Sequence, residues 1–391
     1  MNGPVDRGSR GAYSPVMPKV ALAYSGSLDT IICVHYLRHV KGMKVYTFSA
    51  NVGQPEYLEP LAEQAVELGA TAANLADLRE RFIKEFVYPS LLADAIYEQR
   101  YFLFSALARP LIVEELVQVA EEEGCDFIAH GSRGIGNDSL RLDRYIRTLS
   151  PDFEIIAPLQ ELGLKSPEDD LAYAKKHDIP VESERAVLYN VEQNLWGSNI
   201  QVPGLSNTWD DIPRDTYFLT VPPTEAPERP TEISIGFEKG IPVTIDGKEM
   251  RASKLISELN RIGGRNAVGR FDVIENRLSG RKSRELYEAP AAAILHLSHR
   301  VLEGLTLEKE ALHFKGLLSQ KYAELVYEGD WFLHTRKALD DFFRRLNERV
   351  TGEVRLMLFK GATNVRGVRS PYSLLDVPAE ETDDDLDGAR W

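Results

Sequence analysis

Two short stretches carry residue types whose spacing could do chemistry. The first is KVALAYSGSLDT, Lys19 to Thr30. Ser25, Gly26, Ser27 and Asp29 crowd a tight turn between four apolar residues, Val20 to Ala23, and an apolar helical segment from Thr30 to Val40. A strand that breaks into a small, hydroxyl-rich turn and enters a helix gathers backbone N–H groups at one point. Those orphan donors and the helix dipole both favour an anion. Ser25, Ser27 and Thr30 add hydroxyls. An ordinary strand–turn–helix corner has the same local pattern, so the pattern alone leaves phosphate binding and a plain corner evenly matched. The second stretch is HGSRGIGNDSLRLD, His130 to Asp143. Gly131, Gly134 and Gly136 let the backbone approach a ligand closely. Asn137, Asp138 and Arg141 offer an amide, a carboxylate and a guanidinium, a set that can grip an amino acid by its amine and carboxylate. A surface turn before a capped helix is the competing reading and, on pattern alone, the weightier one.

The elements that must position these loops read β-α-β-α. Lys44 to Gln54 is a β-rich run, Tyr57 to Ala70 has helical apolar spacing with a Gly stop, and Ala70 to Ala76 is a short strand. A long helical stretch from Leu78 is expected to break near Pro89, with another up to Ala108. Pro110 to Glu123 reads as a helix with proline in its first turn. Cys125 to Gly131 is the next buried strand. Alternation of this kind predicts a parallel sheet covered by helices, with ligands beyond the carboxyl ends of its strands. Three such ends carry polar loops, Ser25–Asp29, Ala50–Gln54 and Gly131–Arg141, and are expected to converge. From IPVESER the pattern changes. Glu228 to Met250 reads as a hairpin, Ser253 to Gly269 as a Ser-capped helix ending at Gly263 and Gly264, and Arg270 to Leu278 as a strand. Helices follow over Ala289–Leu302, Leu307–Tyr327 and Asp330–Asn347, then a last hairpin. The predicted fold class is α/β: a Rossmann-like parallel-sheet nucleotide domain over 19–183, then an α+β domain over 184–376, with the joint near 178–186. A flexible lead (1–18) and an acidic, disordered tail (377–391) flank them.

Composition narrows the function. With 391 residues and a net charge of −14, the chain has the size of two or three domains and a surface that argues against nucleic-acid or anionic-membrane partners. No run approaches a membrane span. Two cysteines in apparent core elements, Cys33 and Cys125, fit a reducing cytoplasm. His296 and His299 could share a helix face, but no acidic or Cys neighbour in sequence completes a metal site, so no resident metal is expected. Trp196 and Trp209 are read as packing residues. Lys282 and Arg284 could meet a phosphate or a neighbouring subunit, with a structural ion pair equally open.

Whole motifs carry a resemblance. AYSGSLDT resembles the SGGxDS/T loop of the N-type ATP pyrophosphatases, and no Walker A pattern occurs. The second loop resembles the HGxTGKGNDQxRF motif of argininosuccinate synthases. SALARPLIVEE, VEQNLWGSNI, GRNAVGRFDVIENRLSGRKSRELYEAP, KYAELVYEGDWF, VTGEVRLMLFKG and SPYSLLD match that family in order, from about Lys19 to Asp376. The resemblance implies an AMP-forming carbon–nitrogen ligase. ATP, with Mg²⁺ on its phosphates, adenylates a ureido oxygen, pyrophosphate leaves, and an amine displaces AMP. By resemblance, Ala23, Tyr24, Ser25, Gly26, Ser27, Leu28, Asp29, Thr30, Ala50 and Gly131 bind ATP. Tyr101, Ser105, Asn137, Arg141, Asn190, Asn199, Glu275 and Tyr287 face the citrulline-like acceptor. Arg133, Asn137 and Asp138 face the aspartate-like amine. Asp29, Asp138 and Arg141 are the catalytic candidates. Family tetramers end in a long embracing helix, which a short acidic tail here is expected to lack; a homo-oligomer is still expected.

Departures from the family pattern cluster at the site: Ser27 and Ile31 in the first loop, Arg133, Ile135 and Ser139 in the second, and Asn190 and Asn199 where the family has serines. They favour altered substrate specificity, a different ureido or amide acceptor or a different amine. A housekeeping argininosuccinate synthase is the alternative, and a non-catalytic nucleotide binder the second. A tRNA-modifying ATP pyrophosphatase is disfavoured by the acidic balance.

Overall fold

A computed structural model describes residues 17–55, 58–134, 136–181, 190–202, 205, 207–213 and 215–375. The acidic tail and most of the lead lie outside the described residues, as do Ile135, most of the expected joint and the side chain of Asn190.

The first half contains β1 (Lys19–Ala23), α1 (Leu28–His35, continued by a π-wound turn), β2 (Lys44–Asn51), α2 (Leu58–Glu67) and β3 (Ala72–Asp77). Then come α3 (Arg79–Arg81), α4 (Tyr88–Leu92), α5 (Phe104–Glu122), β4 (Phe127–Ala129), α6 (Asn137–Leu149), β5 (Glu154–Ile156), α7 (Pro158–Glu161) and α8 (Pro167–Lys176). The strands form one parallel sheet in the order β3-β2-β1-β4-β5. β1 is central because both its faces are apolar. Val20 and Leu22 join the core under α1 and α8, while Ala21 joins the larger core that runs on into the second half. The chain leaves β1 toward β2 on one side and β4 on the other. The loops after β1 and β4 therefore flank the crevice where such sheets bind ligands.

The second half holds β6 (Asn190–Asn194), β7 (Gly197–Gln201), β8 (Thr231–Glu238), β9 (Ile241–Ile245), β10 (Lys248–Glu249), α9 (Ala252–Arg265), β11 (Arg270–Asn276) and β12 (Lys282–Glu288). Three helices follow, α10 (Pro290–Thr306), α11 (Lys309–Glu328) and α12 (His334–Leu346), then β13 (Gly352–Phe359) and β14 (Ala362–Arg369). Two antiparallel sheets result, β11-β12-β7-β6 and β10-β9-β8-β13-β14.

Several expectations are corrected. The helix expected from Pro110 begins at Phe104 and carries Pro110 in its interior. The Tyr101 hydroxyl accepts from the N–H groups of Ser105 and Ala106 (3.2 and 3.4 Å), which starts the helix six residues early. Residues 93–103, expected to be helical, form turns and a Tyr97–Tyr101 bridge. The helical segment before them passes through Pro89, which stands at the start of α4 directly after a π-wound stretch, Phe82–Val87. α9 is not capped by Ser253. Glu80, from the first half, accepts from the N–H groups of Ala252 and Ser253 at 3.3 and 3.0 Å. β5 and β12 were not foreseen. Trp196 is fully buried, but Trp209 is 93% exposed, so it is not a packing residue. Arg284 forms an ion pair with Asp272 at 2.8 Å, the structural alternative.

His296 and His299 lie on the buried face of α10. His296 Nδ1 is 2.8 Å from Asp94, and His299 Nε2 is 2.9 Å from Asn347. Burial pushes the His299 imidazole down to about 3, with Lys315 adding repulsion. Lys315 Nζ is 2.8 Å from Glu303, both almost fully buried. Burial raises the Glu303 carboxyl to about 7, against the pull of Lys315. Removing one member of a buried pair leaves the other uncompensated, so Lys315→Met should cost about 3 kcal/mol near pH 8. Without Lys315, Glu303 binds its proton more tightly in the fold than in the unfolded chain. The cost should therefore shrink as pH falls toward about 5, where the carboxyl is neutral in the fold. Thermal melts at both pH values check this.

Candidate active site

The loop after β1 is an anion cradle by construction. Gly26 has φ +77°, and a Cβ there would overlap the Leu61 side chain, so only glycine fits both backbone and space. Ser27 is the N-cap of α1 in extended conformation (φ −68°), a shape any residue adopts. The extra Cβ relative to the family glycine therefore strains nothing. The Ser27 carbonyl takes the N–H groups of Thr30 and Ile31, both at 3.0 Å. The first-turn N–H groups of Leu28 and Asp29 come before any intrahelical acceptor. Ser25 Oγ lies 2.9 Å from Ser27 Oγ, and the Ser25 N–H donates to Thr30 Oγ1 at 3.3 Å, which ties the hydroxyls into one group. Gly26→Ala should cost at least about 1 kcal/mol in backbone strain alone. It should also weaken nucleotide binding, as read by thermal melts with and without ATP.

The other nucleotide candidates surround this loop unequally. Ala23 ends β1, half-buried. Tyr24 is buried, with its hydroxyl on Gln64 at 2.5 Å. The Leu28 side chain is core, which leaves only its backbone for a ligand. Ala50 lies at the carboxyl end of β2, its carbonyl held by Gln54 Nε2 at 2.7 Å. Gly131 packs beside Thr30: a Cβ there would stand 3.1 Å from Thr30 Cγ2. The loops after β1 and β4 thus touch, two of the three expected to converge; in the third, Ala50–Gln54, the Val52 carbonyl accepts from the Leu195 N–H at 2.9 Å.

Beyond α6, the acceptor candidates form a cage built from both halves. Tyr287 on β12 donates its hydroxyl to Glu275 on β11, and Tyr327 on α11 donates to the other carboxylate oxygen at 2.6 Å. Asn137, first residue of α6, donates to the Tyr327 hydroxyl at 2.7 Å and accepts from the Leu278 N–H at 3.0 Å. Tyr101 stacks on Tyr287 with ring centres 4.8 Å apart, and Tyr97 stacks on Tyr327 at 3.6 Å. Burial raises the Glu275 carboxyl, opposed by its two tyrosine bonds.

Next to the cage lies a buried charge network. Arg109 on α5 forks onto one Asp138 oxygen through Nε and Nη2 (2.9 and 2.6 Å), and Arg141 Nη1 reaches the other at 3.0 Å. Arg109 also pairs with Glu192 at 3.0 Å, and Glu192 accepts from Ser105 Oγ at 2.8 Å. Burial pushes the Asp138 carboxyl up, but Arg109 and Arg141 overcome it and hold it well below the usual range. Asp138 is therefore a fixed anion rather than a base. Arg141 is anchored through Nε to the Tyr327 carbonyl at 2.8 Å, and its Nη2 is buried with no hydrogen bond. Asn199 sits opposite both Tyr287 and Glu192 in the sheet register. Its Nδ2 donates to Glu285 at 3.2 Å, while its Oδ1 is buried without a partner. Asn190 is placed only through its backbone, in β6.

Arg133 does not join Asn137 and Asp138. Its guanidinium bonds Asp29 at 2.7 Å and the buried Asp170 of α8. Arg109, Glu192, Tyr97, Tyr327 and Asp170 were missed as site residues. Arg109, Glu192 and Tyr327 do lie in the family-like segments SALARPLIVEE, VEQNLWGSNI and KYAELVYEGDWF, and the arginine inside the apolar run SALARPLIV was the plainest signal; Tyr97 and Asp170 lie in segments with no motif.

Comparison with known proteins accords with this geometry. Residues 19–180 match the arginosuccinate synthase N-terminal HUP domain, and residues 189–388 match the arginosuccinate synthase C-terminal domain. The chain belongs to the argininosuccinate synthase family. An argininosuccinate synthase of Pelotomaculum thermopropionicum is 43% identical over 92% of this chain and 90% of its own. One from a Thermoanaerobacter species is 45% identical over 91% and 87%, and one from Desulforamulus reducens 45% identical over 92% and 90%. Membership makes ligase chemistry, use of ATP and small-molecule substrates the family setting of this site. Among the described residues, no helix is long and apolar enough to cross a membrane, and no group of three His, Cys, Asp or Glu could hold a metal ion.

Proposed function

We propose that the protein is an AMP-forming carbon–nitrogen ligase that makes argininosuccinate from citrulline and aspartate in the cytoplasm. The observation that carries this reading is the Glu275–Tyr287–Tyr327–Asn137 cage, joined by a single loop to the anion cradle at α1. The curated relatives bear the same name, which favours the housekeeping reading over the altered specificity expected from the sequence.

A ureido carbon is a poor electrophile because its nitrogens donate density. The ureido oxygen attacks the α-phosphorus of ATP, the bond to the β-phosphate oxygen breaks, and pyrophosphate leaves. The donor amine then attacks the ureido carbon, its C–O bond to AMP breaks, and the amine loses a proton. No covalent enzyme intermediate is needed, so the protein positions and stabilises charge. Ser25 to Thr30, with Ala50 and Gly131, take the nucleotide. Tyr101, Glu275 and Tyr287 orient the acceptor. Arg141, with an unfilled Nη2, faces developing negative charge. Asn137 and the fixed anion Asp138 take the donor's ammonium end. Mg²⁺ comes with the nucleotide as part of the substrate. Among the described residues no cluster of His, Cys, Asp and Glu could hold a resident ion, and no step is routed through one. A homo-oligomer belongs to this reading, with mass in solution as its check.

A second reading, an altered acceptor, rests on Asn199, whose buried Oδ1 is an unfilled acceptor for a ligand N–H. Both readings are tested by supplying ATP, Mg²⁺, citrulline and aspartate and measuring pyrophosphate. Robust release is the expected result. Release only with another ureido or amide compound would move the assignment to the second reading, and no release with any acceptor would leave a nucleotide-binding homologue.

A further inference from the structure

Arg133 departs from its family motif, and its surroundings give the departure a use. It leaves the loop after β4 and reaches across the crevice to Asp29, in the first turn of α1. Its other partner, Asp170, comes from α8 and has a completely buried side chain. Both bonds leave from the same nitrogen, Nη2, while Nε is buried with no acceptor. The planar fork of a guanidinium suits two oxygens of one carboxylate or phosphate, and here neither carboxylate fills it. Asp170 Oδ1 is likewise buried without a partner. Two carboxylates thus share one cation beside a cradle of helix N–H groups, and the arrangement is incomplete on both sides.

We propose that Arg133 is a pyrophosphate-side residue of this enzyme, held over the α1 cradle by Asp170, and not a contact for the amine donor. The inference deepens the ligase reading and rests on it. Its physical basis is charge. A triphosphate arriving at Ser25–Thr30 meets the Asp29 carboxylate at close range, and Arg133, paired to that carboxylate, offsets the repulsion. Asp170 is the positioning residue. Buried at the start of α8 under the same loop, it stops the guanidinium from swinging out to water. Burial, with Asp29 as a like charge, raises the Asp170 carboxyl against the pull of Arg133. Gln160 steadies the loop from α7, donating to the Ser132 carbonyl at 3.0 Å beside Gly134, whose φ is +81°.

The test uses inorganic pyrophosphate and ATP as probes in calorimetric titrations of the full chain, beside steady-state KM values for aspartate and citrulline. Arg133→Ala should weaken pyrophosphate binding and raise the KM for ATP about tenfold or more, with the aspartate KM within about twofold. Arg133→Lys keeps a point charge but loses the fork and should recover only part of the loss. Thermal melts confirm that both variants fold, and the lysine variant carries the test if the alanine one does not. Unchanged pyrophosphate affinity in a folded variant, or a tenfold rise confined to the aspartate KM, overturns the inference and leaves the ligase reading standing. Failure of the wild-type protein to bind either ATP or pyrophosphate overturns both.

Discussion

Asp138→Ala should lower kcat/KM about a thousandfold, the equivalent of breaking one buried, hydrogen-bonded charge network. Asp138 takes the fork of Arg109 on one oxygen and Arg141 on the other. Without it, two buried guanidinium groups are left, among the described residues, with Glu192 as the one carboxylate paired to either. Arg141 loses the contact that fixes its free Nη2, so the loss should fall mainly on kcat. Asp138→Asn keeps the shape and removes the charge, and should retain more stability than activity. Steady-state kinetics beside thermal melts separate the two effects. Activity near wild type in a folded Asp138→Ala protein would show that the network is structural.

The second large effect belongs to the acceptor cage. Glu275→Gln should raise the acceptor KM about a hundredfold, because two hydroxyl donors converge on one carboxylate and each charge-assisted bond is worth about 1.5–3 kcal/mol. The amide oxygen replaces one carboxylate oxygen and an N–H₂ donor the other, so one of the Tyr287 and Tyr327 hydroxyls must give up its bond to residue 275 or accept there instead of donating. The KM for ATP should stay within about twofold, since the nucleotide cradle shares no residue with this pair. An unchanged acceptor KM would put the acceptor elsewhere. Burial holds the Glu275 carboxyl above its ordinary value. In the wild type, acceptor binding should therefore weaken with acid at a higher pH than for an exposed glutamate, where the carboxylate takes a proton and loses its second accepting oxygen. The KM measured across pH checks this.

What the sequence revealed followed the range of the forces involved. The parallel sheet and its two polar loops were legible because strand, turn and helix signals are local, and Gly26 is required by its left-handed backbone. The start of α5 was not legible, because its cap is a tyrosine hydroxyl from the preceding turn. Tyr327, Arg109 and Glu192 look like ordinary residues until three distant elements meet. His296 and His299 read as a possible metal pair only while Asp94 and Asn347, far away in the chain, are unseen. Arg133 was expected to act with its motif neighbours Asn137 and Asp138, but ion pairs with Asp29 and Asp170 hold it against the first turn of α1 instead.

The cap on α9 bears on how the chain can be assembled. Glu80 emerges from the ribosome 172 residues ahead of Ala252, so the acceptor for that helix start is already in place when the helix is made. A fragment beginning at β6 would lose that carboxylate, worth about 1 kcal/mol at a helix start, and would lose Asn137 and Arg141 from its tyrosine cage as well. Two separately produced halves should therefore be inactive alone and regain ligase activity only on mixing, at a rate that depends on their concentration.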